Sequence, residues 1–431
     1  MWQAVVVPLR RPHEPPWRGF ERGEPQYRRI VAALFAAGFA TFTQIFDAQA
    51  VLPALRDELG VTAPTAALSV SAATIGMALS VLPWASAADR IGRVQAMRIS
   101  LTAATLLAFV VPLMPTFETV LLARGLVGLA LGAVPAVAVA YLAEELHVSW
   151  VSVAAGTYIA GNTIGGIAGR LIAGPVSELA GWRAGLAVVA VAGALAAALF
   201  WMLVPEPRGF VRAAAGDAGN DVGSDAGGGG LRLRTRILFQ LRDPTMLALY
   251  AQGFFLMGAF AVVYNYLGFR ITAPPFLLPT GFVSLLFLAY LSGTVSSRFS
   301  GALLARFGAL TVIVGGIAVM LVGLALLVSE ALPVVIVGLV VFTVGCFTAH
   351  PVASGLSGRS ALVGRAQATA LYQLSWLSGT SLFGWLVGLV YDRAGWSALL
   401  VAVAGMGLAA AAAAIVGLGL LGSRRPVPPT S

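Results

Sequence analysis

Lysine is missing altogether from these 431 residues, and only 10% of them carry a formal charge. A soluble domain carries about 25%, so a water-facing globular surface is excluded. Cysteine occurs once, at Cys346, which excludes an intramolecular disulfide. With no Gly-Lys-Ser/Thr there is no nucleotide loop, which argues against a pump driven by ATP. His-Glu-x-x-His, a nucleophile elbow and a paired-acid frame are also absent, so an enzyme is not expected. No cofactor or metal is expected either; Glu144, Glu145 and His147 lack ligand spacing and read as a cap on a cytoplasmic loop.

Apolar residues fill the space left by charge, at 58% of the chain. A bilayer crossing needs about 20 of them in a row. Twelve such runs occur, near 30–53, 66–88, 97–114, 118–142, 151–175, 183–204, 245–268, 280–301, 310–329, 332–353, 367–390 and 396–421. The fold class expected is therefore all-α and polytopic, embedded in a lipid bilayer.

The net charge of +9 suggests nucleic acid until its placement is considered. With the N-terminus in the cytoplasm, 21 of the 27 arginines fall in segments facing inward. Arg56, Arg183, Arg270 and Arg393 face outward, and Arg124 and Arg170 lie inside spans. Arginine resists translocation, so this bias sets both termini inside. The basic excess is topology, and no nucleic-acid partner is expected.

The chain divides at "EPRGFVRAAAGDAGNDVGSDAGGGGLRLRTR", whose Gly, Ala and Asp cannot bury apolar surface and should be flexible. The expected layout is a cytoplasmic tail over 1–29, a six-span bundle over 30–205, a linker over 206–242, a second bundle over 243–421 and a tail over 422–431. "ASAADRIG" at 85–92 aligns with "GALLARFG" at 301–308, and Pro135 with Pro351, both 216 residues apart. "SELAGW" at 177–182 aligns with "YDRAGW" at 391–396, 214 apart. These offsets indicate an internal duplication, with a site between the halves near the midplane and alternating access by rocking.

After span two, "WASAADRIGRVQAMR" resembles the Gly-x-x-x-Asp-Arg-x-Gly-Arg-Arg/Lys signature of the major facilitator superfamily. Asp89, Arg90, Gly92 and Arg93 match; Ala85 and Val94 depart from it. Arg306 and Gly308 form a degenerate copy in the second half, with Ala305 where the acid would stand. The resemblance implies a gate at the cytoplasmic side, with Asp89 facing the positive N-terminus of span eleven near Gln367. In span four, Arg124 and Gly128 resemble the family's second motif, whose arginine is linked to proton coupling.

On span five, "GNTIGGIAGR" resembles the Gly-x-x-x-Gly-Pro-x-x-Gly-Gly frame of proton-linked exporters. Gly161, Gly165 and Gly169 fit it, Gly166 replaces the proline, and Arg170 replaces the last glycine. Their four-residue spacing forms a smooth ridge for close helix approach, expected to meet Ser292, Ser296 and Ser300 of span eight. "YLAEELHVSW", "YNYLGFR" and "TAHPVAS" extend the resemblance to a bacterial inner-membrane branch of the family, covering most of the chain outside the N-terminal tail and linker. It implies a monomeric carrier of the bacterial inner membrane, akin to drug/proton antiporters or sugar-efflux proteins.

Ionisable groups inside a bilayer are functional candidates. Asp47 falls roughly 25 Å along span one, at a depth similar to that of Arg124 and Arg170. Desolvation favours a protonated acid and a nearby guanidinium favours its carboxylate, so Asp47 is the candidate proton carrier; the bland alternative is a static ion pair. Arg170, roughly 30 Å into span five, is expected near the outer surface and within reach of Asp47. His350, before Pro351, is expected near the cytoplasmic end as a proton or cargo site or a packing histidine. Gln49, Tyr264, Asn265, Tyr266, Tyr372, Gln373 and Trp376 are candidate cavity residues.

The function expected is proton-coupled efflux of a small organic solute by alternating access. Proton symport or facilitated uptake is the alternative, and a non-transporting sensor or scaffold is the alternative from another class.

Overall fold

The computed structural model describes residues 17–209, 233–361 and 365–420. Its helices are α1 (Pro25–Phe46), α2 (Leu52–Leu59), α3 (Ala63–Ile91), α4 (Arg93–Val110), α5 (Phe117–Leu131), α6 (Ala133–Glu145), α7 (Val148–Leu203), α8 (Leu233–Arg242), α9 (Pro244–Thr272), α10 (Thr280–Leu285), α11 (Tyr290–Phe307), α12 (Ala309–Leu326), α13 (Leu332–Arg359) and α14 (Arg365–Ala414). Among the described residues no β-sheet forms. The only strand-like pairing there is a single bridge between Phe20 and Leu146.

Ten helical segments of the described residues are long and apolar enough to cross a bilayer. Two of them, Val148–Leu203 and Gln367–Gly419, have 56 and 53 residues, far beyond the ~20 of one crossing. Each joins two helices at a glycine of non-helical backbone, Gly181 (φ 83°) and Gly395 (φ 75°). Within α7 the chain reverses there: Gly185 packs on the Ala173 carbonyl and on Ser177, although twelve helical residues would separate Gly185 from Ala173 by about 18 Å. Counting each long segment as a pair gives the twelve helices expected.

The duplication reappears as geometry. Gly92 and Gly308, 216 residues apart, both have positive φ and both separate consecutive helices. Gly181 and Gly395 repeat this at 214. A β-branched or bulky residue at positive φ is strained, so glycine recurs where the chain turns between spans.

Close approach also repeats. Gly161, Gly165 and Gly169 lie on the backbone of Phe35, Phe39 and Thr43 of α1. Both rows have four-residue spacing, so the ridge of one helix fills the groove of the other. Thr43 Oγ1 donates to the Gly165 carbonyl at 3.0 Å. The partner of this ridge is therefore span one, not the serines of span eight. Ser292, Ser296 and Ser300 instead donate to carbonyls of their own helical stretch, those of Ala289, Gly293 and Ser297. In the second half Gly379 of α14 packs on Phe254 of α9, 214 and 215 residues after Gly165 and Phe39.

The bundle boundaries extend past those expected. Of the segment 1–29, residues 1–16 lie outside the described residues. From Trp17 onward the chain is docked: Trp17 Nε1 donates to the Glu144 carbonyl at 2.9 Å, the Phe20 amide donates to Glu145 O at 2.8 Å, and α1 already begins at Pro25. The Glu145 carboxylate accepts the Arg208 and Gly209 amides at 2.7–3.0 Å, tying the start of the expected linker to the end of α6. Residues 210–232, the centre of that linker, and 421–431 lie outside the described residues.

A side chain at Gly165 would overlap the Phe39 backbone, whereas a β-carbon at Gly156 meets nothing within 4 Å. Gly165→Val is expected to cost about 1–3 kcal/mol or more, and Gly156→Ala to be neutral or slightly stabilising. Thermal unfolding in detergent, read side by side for the two variants, checks the contrast.

Candidate substrate cavity and charge cluster

Span one changes geometry inside the protein. After Phe46 the α-helix gives way to a 3-10 stretch over Asp47–Val51, then resumes as α2 with Pro53 in its first turn. A break of this kind strands backbone carbonyls. Arg124 of α5 takes them: Nη1 donates to Gln44 O at 2.8 Å and Nη2 to Ile45 O at 2.7 Å. Its Nη1 also meets Asp47 Oδ1 at 2.7 Å, and its Nε donates to Ser69 O of α3 at 3.2 Å. Asp47 Oδ1 in turn accepts the Ala48 amide at 2.7 Å.

Asp47 is 4% exposed and Arg124 1%. Two opposite charges at that depth must be paired. The pair also supplies the hydrogen bonds that the helix gives up at its break, joining spans one, two and four.

Arg170 sits elsewhere than expected. It is 2% exposed and lies within the protein, because the helix it belongs to runs on past 175 to the turn at Gly181. Its Nε donates to Gln49 Oε1 at 2.8 Å, its Nη1 to the Gly166 carbonyl at 2.5 Å and its Nη2 to Tyr290 Oη at 3.2 Å. The rings of Phe46, Phe287 and Tyr290 stand 4.7–4.8 Å from its guanidinium carbon, each an attractive cation–π contact. Of the expected three-charge cluster, Asp47 and Arg124 form the bonded pair, while Arg170 stands in a cage beside it, without a bond to Asp47 but close enough for the two charges to act on each other.

Around that cation lies a cavity of about 300 Å³, walled by both halves. The first half contributes Phe42, Phe46, Gln49, Asn162, Gly166 and Arg170 among others; the second contributes Phe260, Asn265, Tyr290, Phe347, His350 and Trp376 among others. Gln49 Nε2 reaches Asn265 Oδ1 at 2.5 Å across the boundary. His350 is a wall residue, and its Nδ1 shares a 2.8 Å hydrogen bond with Tyr372 Oη.

Three of the seven expected cavity residues, Gln49, Asn265 and Trp376, line this space. Tyr372 stands behind His350. Tyr264 stands behind Tyr290, its hydroxyl bonded to Thr343 Oγ1 at 2.7 Å. Tyr266 points away, donating to Gly384 O at 2.8 Å and packing on Phe269 and Tyr391. Gln373 is half-buried outside the wall. The residues missed include the four phenylalanines Phe42, Phe46, Phe260 and Phe347, with Asn162, Thr163 and Tyr290 among the polar ones. Helical spacing offered a signal: 159, 163, 166 and 170 mark one face of span five.

Cross-boundary contacts gather at the end of the bundle remote from the termini. Thr74 and Ser381 hydroxyls meet at 2.8 Å, and Ser71 donates to the Ser381 carbonyl at 3.0 Å. Glu178 Oε2 accepts the Gly281 amide at 2.7 Å, and Gly174 lies against Ser284. At the opposite end Asp89 and Glu144 both bond Arg93, the latter at 3.1 Å. Asp89's ion-pair partner is thus Arg93 of its own half rather than the N-terminus of α14. Arg90 lies one residue on from Asp89, Arg306 covers the Phe307 ring, and Gly92 and Gly308 form the paired turns.

Residues 30–301 match the family model described as Major Facilitator Superfamily. The chain is 35% identical over 380 residues to the inner membrane transport protein YnfM of Escherichia coli (strain K12), covering 88% of this chain and 87% of that one. It is 33% identical over 375 residues to the MFS-type transporter YybF of Bacillus subtilis (strain 168), covering 87% and 90%. In fold it is similar to a bacterial homolog of the human lysosomal transporter Spinster in an inward-facing, occupied conformation (TM-score 0.68, 16% identity, 93% and 98% covered). It is similar also to a variant of the nucleoside transporter NupG (TM-score 0.69, 15% identity, 90% and 99% covered).

Arg124→Met removes the ion pair and three carbonyl contacts together, and is expected to cost about 3–5 kcal/mol. Asp47→Asn leaves Arg124 its carbonyls and an amide oxygen to bond, so its loss should be smaller. Melting temperatures of the two purified variants give the order; the reverse order would assign the hold on span one to Asp47 instead.

Proposed function

This chain belongs to the major facilitator superfamily, and on that premise we propose that it exports a small organic solute in exchange for protons by alternating access. That it is a multi-pass membrane transporter follows from the family. The observation that carries the finer reading is the cavity walled by both halves, with a buried ion pair between Arg124 and Asp47, the latter on the span whose Gln49 and Phe46 reach the cavity wall. Charged partners inside a membrane protein mark ion and proton routes.

The geometry supports a route for coupling. Asp47 and Gln49 both lie in the five-residue 3-10 stretch that breaks span one. Protonating Asp47 removes the charge that Arg124 balances and loosens its grip on that turn. Gln49 on the turn bonds Arg170 of its own half and Asn265 of the other, and the second of these contacts holds the two halves together. A proton taken up at Asp47 is thereby felt at the boundary between the halves.

The arginine bias sets the termini in the cytoplasm, so contacts at the remote end correspond to a closed outer side, with the cavity facing inward. Rocking outward would part Thr74 from Ser381 and Gly281 from Glu178, and bring Asp89 toward α14. Gly161, Gly165 and Gly169, which resemble the exporter frame, support the outward direction of transport.

In proteoliposomes with an imposed pH gradient, Asp47→Asn is expected to abolish proton movement on solute addition while downhill solute flux persists. A solute panel recorded together with internal pH tests it, and coupled flux retained by the variant would overturn the proton role. Asp89→Asn is expected to shift the inward–outward balance by a factor of about 2–5, the ~0.3–1 kcal/mol of a charge at a helix end. Distances between spin labels across the cytoplasmic side read that balance directly.

A further inference from the structure

The chemistry of the solute is constrained by charge, and this inference rests on the transporter reading above. Arg170 is the one permanently charged side chain among the described residues that line the cavity. The nearby acid, Asp47, is engaged by Arg124 at 2.7 Å, so Asp47, Arg124 and Arg170 together carry one positive charge. The caging rings supply attractive faces but no net charge. A guanidinium has five N–H donors, and Arg170 spends three, on Gln49, Gly166 and Tyr290. Two N–H groups and an unbalanced charge are thus held at the wall of a cavity with no other permanent charge among its described lining residues, on a side chain that is 2% exposed.

We propose that the solute is a small organic monoanion with a ring-sized apolar body, whose carboxylate docks on Arg170. The guanidinium fork matches a carboxylate geometrically. The body would lie along Phe42, Phe46, Phe260, Phe347 and Trp376, which line the same space. Asn265 and His350 also line the space and can hydrogen-bond a substituent on that body. One net positive charge balances one carboxylate and leaves a dianion over-charged. An organic cation meets like charge with no acid in the wall, which excludes it by repulsion as well as by absence of a partner. Arg170 is also held by Tyr290 of the opposite half, so a carboxylate competing for its donors acts on the contact that shuts the outer side.

The test uses the purified full chain in detergent, with phenylacetate, 3-phenylpropionate and cyclohexylacetate as probes. Each is compared by calorimetric titration with its neutral amide and with the amine of matching length. At least one acid is expected to bind saturably, ten-fold or more tighter than its amide, with no binding by the amines. Arg170→Gln is expected to erase the difference between acid and amide, and Arg170→Lys to keep part of it. Gln49→Glu places a carboxylate at Arg170 Nε without removing the guanidinium. It is expected to abolish acid binding, and it decides the matter if Arg170→Gln does not fold.

Equal binding of acid and amide, no binding by any acid, or an acid preference surviving in Gln49→Glu would overturn the proposal. An acid that binds but does not cross proteoliposomes would remove the transport reading and leave the site assigned. Coupled movement of amides or amines that is independent of Arg170 would do the reverse.

Discussion

A buried guanidinium cannot be left unpaired in a bilayer, and the first half of this protein is arranged around that constraint. Arg124 is 1% exposed and finds one carboxylate and three carbonyls. The carbonyls of Gln44 and Ile45 lie where span one leaves α-helical geometry. The charge and the helix break therefore satisfy one another: neither is tolerable alone in a medium without water. From the break follow the placement of Gln49 and Phe46, and so much of one wall of the cavity.

Arg170 answers the same constraint by different means. It is supported by three rings and three neutral acceptors rather than by an acid. Such an arrangement keeps the cation stable in a closed protein without cancelling its charge. Arg170 is held partly by Tyr290 of the opposite half, whereas every partner of Arg124 belongs to its own half.

Small residues supply the complementary requirement. Gly161, Gly165 and Gly169 bring span five against span one, and Gly379 brings span eleven against span seven. Lipid is as apolar as leucine, so helices in a membrane associate through close packing and hydrogen bonds rather than by exclusion from water. The Thr43 hydroxyl bonded to the Gly165 carbonyl is such a contact. The smooth glycine ridge was readable in the sequence because spacing of four always gives one helix face. Its partner was not, since Phe35, Phe39 and Thr43 carry no pattern that distinguishes them from other apolar faces. The phenylalanines of the cavity escaped for the same reason: an aromatic facing a cavity and one facing a neighbouring helix look alike along the chain.

Local chemistry along the sequence was sufficient for the spans, the arginine bias, the duplicated turns at Gly92 and Gly308, and the identity of the buried charges. Each depends on what one segment can bear in a bilayer, and that cost is paid residue by residue. Tertiary structure alone decided which charges meet. Asp47, Arg124 and Arg170 stand on three different spans, and depth along a span says nothing of the direction in which a side chain points. Only the packing of α1 on α7 and of α5 on α3 turns Arg124 toward Asp47 and Arg170 toward Gln49 and Tyr290. That rotation of helices about their own axes separates a satisfied ion pair from a cation that faces a cavity.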